Sequence, residues 1–293
     1  MIPLLLAAVL GAVVVAVLER TTRATFAGEL FRRTNYRGAE LSTAVGVLIP
    51  CGLLAAGSVA AFLSTLRPTH GQFLVDSWQL AVPTLLIATG FALLGLLDDL
   101  GGMGQHGGFT GHIRSLLRGE VSTGMIKLLG GPFFAILAVR QIFPMTSWGW
   151  LLVDGAIVAL GANTANLFDR APGRVNKVAQ LCGACLLVAS RNDILAPVAA
   201  VLGGAAALLR ADLKEHLMLG DAGSNTLGAV LGFGVVIVGS DPQKWILLVV
   251  LVLLNLASER VSFSAIIEKI AVLRYLDRLG ATHRNALSSE PLA

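Results

Sequence analysis

The feature that most constrains this chain is a succession of apolar runs, too long and too frequent for any surface that faces water. Runs of roughly 17–22 residues, the length of helix that crosses about 30 Å of hydrocarbon, lie at about 2–18, 42–63, 80–97, 124–143, 148–168, 175–190, 194–210, 222–240 and 244–257, the sixth and seventh being short and weakly separated. Composition agrees: 55% of the 293 residues are hydrophobic and only 14% charged, with a mean hydropathy of +0.76. The 33 glycines suit helices that approach closely in lipid. Soluble multidomain enzymes, disordered chains, collagen and disulfide scaffolds are excluded. The expectation is one all-α polytopic membrane domain over residues 1–293, with about nine transmembrane helices.

The basic residues set the orientation. The first run lacks a preceding basic segment and is followed by Arg20, Arg23, Arg32, Arg33 and Arg37, so it reads as a retained span with its N-terminus outside. Alternation then places Arg67, Arg140, Arg191 and Lys244 outside and leaves eighteen of the 22 Lys and Arg on the cytoplasmic side or at cytoplasmic span ends. The excess supports nine spans and a cytoplasmic C-terminus together. The same topology accounts for the net charge of +4 without a nucleic-acid partner, because the basic residues fall in short clusters between apolar runs.

Beyond the last span, Val261, Phe263, Ile266, Ile267, Ile270, Leu273 and Leu276 recur at three- and four-residue steps with Lys269, Arg274 and Arg278 interleaved. This spacing predicts an amphipathic helix on the cytoplasmic leaflet within a tail spanning 258–293. Cys51, Cys182 and Cys185 sit in apolar stretches and read as small hydrophobes, since the second pair that a zinc site requires is missing.

Acidic residues at membrane boundaries are costly unless they have partners or work. Asp98 and Asp99 end the third run in LLGLLDDLGG, Asp169 ends the fifth in GANTANLFDRAPGR, and Asp221 opens the eighth in LMLGDAGSNTLG. The span count puts all four at the cytoplasmic face. Adjacent carboxylates repel and call for a cation or a lysine, and Lys127 in STGMIKLLGG is placed to serve. Gly220, Gly223 and Ser224 make a small-residue turn whose N–H groups can approach an anion while Asp221 holds a cation beside it. Asn163, Asn166 and Asp169, each three residues apart, put two amides and a carboxylate on one helical face. Together these residues suggest a Mg²⁺-dependent phosphoryl-transfer site.

The four motifs, in this order and at these span ends, resemble the polyprenyl-phosphate N-acetylhexosamine-1-phosphate transferase superfamily (glycosyl transferase family 4), the group containing phospho-N-acetylmuramoyl-pentapeptide transferase. The resemblance runs from about Asn35 to Glu259. It implies a multi-pass enzyme of the cell membrane that moves a sugar-1-phosphate from a nucleotide diphosphate sugar, usually UDP-linked, to polyprenyl phosphate for cell-envelope polymer synthesis, releasing a nucleoside monophosphate. By motif it implies Asp98 and Asp99 as the essential pair acting on lipid phosphate or metal, Lys127 as a phosphate partner, and Asn163, Asn166 and Asp169 in the nucleotide-sugar pocket. Asp221 would be the Mg²⁺ ligand, with Mn²⁺ as an alternative metal and a second copy of the chain as a candidate partner.

Two departures bear on specificity. Where the family pattern reads N-L-x-D-G-x-D-G, this chain has Arg170 for the first glycine and Pro172 for the second aspartate, so Arg170 is expected to contact the donor in place of the missing carboxylate. The His-rich loop of the family is also absent. His106, His112 and His216 lie in expected cytoplasmic loops but do not reproduce it. The competing readings are a transferase using another nucleotide donor, a catalytically impaired polyprenyl-phosphate-binding relative, and a membrane transporter.

Overall fold

The computed structural model describes residues 1–66, 76–101 and 123–281. Among these, every apolar run is helical: α1 Ile2–Phe26, α2 Ile49–Leu66, α3 Ala81–Gly101, α4 Thr123–Ile142, α5 Trp148–Phe168, α6 Arg174–Ser190, α7 Ala196–Leu213, α8 Gly220–Val238 and α9 Asp241–Ser258. Eight are long and apolar enough to cross a membrane. The other is α6, which at 17 residues is the least apolar of the nine. The protein is an all-α, multi-pass membrane protein. Helix starts follow local rules: Pro3, Pro197 and Pro242 stand in first turns, where no N–H is needed. Ser240 and Gln243 form a capping box at α9.

Helix α8 is the hub, packed against α3, α5, α6 and α7. Lipid is as apolar as leucine, so helices gain by bringing backbones close rather than by hiding apolar side chains. The glycines show this. A Cβ on Gly203 of α7 would run into the Ala8 carbonyl of α1, and one on Gly95 of α3 into the Asp221 backbone of α8. The converse holds on α9, where Trp245, Ile246, Val249, Leu253 and Leu256 are exposed, as a lipid-facing helix requires. Cys51, Cys182 and Cys185 are likewise free and outward.

Where α5 and α9 begin, Lys244 and Asp154 form a buried ion pair at 3.1 Å. The Lys244 ammonium also lies 5.3 Å from the Phe143 ring centroid and 5.8 Å from that of Trp150, so ring faces add to the compensation for its burial. The acidic motif residues gather at the other end of the bundle.

Two features differ from the sequence expectation. The basic segment after α1 contains a small antiparallel hairpin, β1 Arg32–Thr34 and β2 Glu40–Ser42. Its turn is closed by Asn35 Oδ1, which accepts from the Arg37 and Ala39 N–H groups, both at 2.9 Å. Ser42 then bridges to Leu217, and the Leu219 carbonyl accepts from Gly46. The expected single amphipathic helix is two, α10 Phe263–Lys269 and α11 Ala271–Arg278, bent at Ile270. Arg174 of α6 reaches both, donating to Ser264 Oγ at 2.8 Å and to the Asp277 carboxylate at 2.6 and 2.8 Å. In one straight helix those two residues would stand about 20 Å apart, too far for one guanidinium. Lys177 donates to the Leu276, Asp277 and Leu279 carbonyls at the end of α11. The rest of the expected tail, 282–293, lies outside the described residues, as do His106 and His112.

Gly203→Val forces α1 and α7 apart and should destabilise the detergent-solubilised protein by about 1–3 kcal/mol. Gly149→Ala, with no close neighbour beyond Ser147, should leave the Tm unchanged. Equal Tm values for the two variants would contradict the backbone contact.

Candidate active site

The site begins with a problem of unsatisfied amides. Helix α8 starts inside the protein, where Ala222 is fully buried, and its first N–H groups have no partner within the helix. Asp99, from the end of α3, supplies one: its carboxylate accepts from the Asp221 and Ala222 N–H groups, each at 3.0 Å. The contact needs a bare Gly220, whose φ of +69° suits glycine and whose Cβ, if present, would meet the Asp99 carboxylate and the Ala44 nitrogen. Arg33 of β1 donates to the Asp99 carbonyl at 2.7 Å and ties the hairpin to the same point.

With Asp99 committed to backbone, Asp98 faces elsewhere. It accepts from Thr123 Oγ1 at 2.7 Å and from Lys127 Nζ at 3.0 Å. The same ammonium donates to Asp221 Oδ2 at 2.5 Å, so one lysine of α4 links the carboxylates of α3 and α8. Asn166 of α5 donates to Asp221 Oδ2 at 3.1 Å and accepts from Ser224 Oγ at 3.3 Å. Asp98, Asp99, Lys127, Asn166, Gly220, Asp221 and Ser224 thus form one constellation. Gly223 lies behind it, against Gly46 and Leu219.

Two cavities share this constellation as a wall. One, of about 580 Å³, is a mainly apolar groove between α3, α4 and α5 that includes Phe91, Leu94, Leu128, Pro132 and Leu160, with Asp98 and Lys127 also on it. The other, of about 400 Å³, is polar and is lined by Asp99, Asp169, Arg170, Asp212, Glu215 and Asp221, with Tyr36 of the hairpin turn and Pro172. The Asn163, Asn166 and Asp169 stripe is divided between them. Asn163 lines the groove and donates to Asn255 of α9, the interhelical bond open to any polar residue in lipid. Asp169 has left the helix, with φ −78° and ψ 58°, and faces the polar cavity. Burial raises its carboxyl well above the usual carboxylate range, and Asp212, Asp221 and Asp99 push it further against the pull of Arg170.

Sequence reading did not single out Asp212, Glu215 or Asn225. Glu215 is enclosed by the hairpin turn, accepting from Asn35, Tyr36 and both Nε and Nη2 of Arg37 at 2.7–3.2 Å. Asp212 closes α7 at the same end of the bundle, so the rule that selected the other span-end carboxylates applies to it too. Asn225 is buried on the groove, and its amide nitrogen has no hydrogen-bond partner among the described residues. His216 is exposed on the turn before α8.

The donors suit a hard divalent cation. Asp98 and Asp221 offer carboxylate oxygens so close that they share one ammonium, and acids outnumber cations around the two cavities. Among the described residues no three acidic, His or Cys groups form a closed cage. A cation held here would complete its shell with substrate oxygens and water, as Mg²⁺ commonly does.

Asp99→Ala removes both acceptors at the start of α8 and should cost about 1–2 kcal/mol of stability, read as a lowered Tm. Asp98→Asn, which leaves Lys127 paired with Asp221, should lower it less. The reverse order would refute the capping role.

No family model matches the chain. It is similar to the phospho-N-acetylmuramoyl-pentapeptide-transferase of Moorella thermoacetica, with 28% identity over 250 residues, covering 79% of this chain and 73% of that protein. A similarity of that extent, together with four motifs in order whose residues meet at one end of an all-α membrane bundle, agrees with the resemblance to the polyprenyl-phosphate N-acetylhexosamine-1-phosphate transferase superfamily.

Proposed function

We propose that the protein is a Mg²⁺-dependent phosphoglycosyl transferase that moves a sugar-1-phosphate from a nucleotide diphosphate sugar to polyprenyl phosphate, releasing a nucleoside monophosphate, for cell-envelope polymer synthesis. The observation that carries the reading is the shared wall: an apolar groove and a polar cavity meet at Asp98, Lys127, Asp99 and Asp221. A reaction between a lipid and a water-soluble nucleotide needs that geometry. The similarity to a protein named phospho-N-acetylmuramoyl-pentapeptide-transferase supports the same class.

The groove suits an isoprenoid chain, with Lys127 and the Asn225 amide at its polar edge for the terminal phosphate. The polar cavity suits the donor, with Arg170 able to pair with its diphosphate. The lipid phosphate oxygen attacks the sugar-bearing phosphorus, and the bond to the nucleoside monophosphate breaks. Asp99, held by two backbone amides, is a positioning residue that keeps the start of α8 in place. In the free enzyme Asp98 and Asp221 hold Lys127 at the wall between the two cavities, and they would offer their carboxylates to Mg²⁺ once phosphates arrive. Bound there, Mg²⁺ would neutralise charge developing on the transferred phosphoryl group. The carboxylate cluster by itself repels a diphosphate, so donor binding should require the metal.

Orientation follows the charge asymmetry, with the site cytoplasmic and the N-terminus outside. In a cysteine-free background, Pro172→Cys should react with an impermeant thiol reagent only from the cytoplasmic side. Reaction only from the outside would invert the topology.

The direct test uses purified protein, undecaprenyl phosphate and a panel of nucleotide sugars, with nucleoside monophosphate release as the readout. Release is expected with Mg²⁺ and abolished by EDTA. Asp221→Asn should lower turnover by orders of magnitude while the protein still folds. Near-normal turnover in that variant, or release independent of metal, would overturn the mechanism.

A further inference from the structure

Of the acids on the polar cavity, Asp212 combines deep burial with an oxygen that no donor among the described residues meets. Glu215 is filled by Asn35, Tyr36 and Arg37, Asp99 by two backbone amides, and Asp221 by Lys127 and Asn166. Asp212 is only 5% exposed, and its Oδ2 has no hydrogen-bond partner among the described residues. Its carboxylate is approached by the Gly173 N–H, which leaves the other oxygen unmet. A buried acceptor without a donor is costly, and native proteins retain few of them outside functional sites.

The surroundings indicate what would meet it. The cavity, about 400 Å³, falls in the range of small-molecule sites and joins Asp212 to Tyr36, Pro172 and Arg170. An aromatic residue, an unmet acceptor and a cation match a planar ring with N–H groups, a hydroxyl-bearing sugar and a phosphate. The side chain of Pro172, on the same cavity, supplies no acceptor. We propose that Asp212 is a specificity-determining residue that accepts a hydrogen bond from the nucleoside of the donor substrate. This rests on the donor reading above and adds to it the residue that recognises the nucleoside.

The test is binding. Uridine, cytidine, guanosine and adenosine monophosphates are titrated with Mg²⁺ into the detergent-solubilised wild type, and the tightest is taken to Asp212→Asn. This variant keeps an acceptor for the Gly173 N–H while losing the carboxylate. The expected result is a roughly ten- to hundredfold weaker nucleotide Kd, unchanged affinity for undecaprenyl phosphate, and a ligand-free Tm that holds or rises. For the nucleotide that binds, analogues lacking the base N–H or the ribose 2′-hydroxyl identify the group involved: the one whose removal weakens the wild type but not the variant is the partner of Asp212. An unchanged nucleotide Kd in Asp212→Asn overturns the inference while leaving the transferase reading intact. A fall in Tm with equal loss of nucleotide and lipid binding assigns Asp212 to structure and overturns it as well. Failure of every nucleotide to bind the wild type is instead the failure of the donor reading, and the inference falls with it.

Discussion

The arrangement depends on satisfying the first amides of a helix that starts inside a membrane protein. They have no partner within the helix, so another element brings an acceptor, and α3 does so with Asp99. That contact holds α3 and α8 in register and explains why the acidic pair is a pair. One carboxylate is consumed by backbone, which frees its neighbour, facing another way, for Lys127. The bare Gly95 and Gly220 are the steric conditions for the same approach. In lipid, where apolar burial gives helices little reason to associate, such polar contacts and close backbones determine which helices meet.

The spans and the motif residues were legible because both are local. Twenty apolar residues in a row carry their own meaning, and a carboxylate at the end of such a run is conspicuous. The pairing of Asp98 with Lys127 was legible for a further reason, since the charge asymmetry put both on one face; that the same ammonium reaches Asp221 of α8, while Asp99 turns to backbone amides, was not. The hairpin was not, since its three-residue strands carry no periodicity and its turn is held by Glu215, about 180 positions away. The bend in the tail escaped because its cause, Arg174, lies on α6. The division of the asparagine stripe escaped because three-residue spacing assumes a helix that continues, whereas the chain leaves the helix at Asp169.

The two cavities differ in what they leave unmet. Among the described residues, a buried amide nitrogen of Asn225 on the groove lacks an acceptor, and one carboxylate oxygen of Asp212 on the polar side lacks a donor. A donor beside Lys127 suits an anion, and an acceptor beside Tyr36 suits a ring with N–H groups. The free protein thus carries, on either side of one wall, complementary deficits that two chemically unlike substrates would fill.

The groove between α3, α4 and α5 has Leu128 on its rim, with 43% of its surface exposed on a bundle whose outer surface is apolar. A lipid entering there moves within the leaflet, so its encounter with Lys127 is a collision in two dimensions. The relevant abundance is then its mole fraction in the membrane, whereas a nucleotide donor, on the proposed function, would arrive by diffusion through bulk water. On the transferase reading, diluting the membrane with inert phospholipid at constant total lipid phosphate would slow turnover as if substrate had been withdrawn, although its amount per millilitre of assay had not changed.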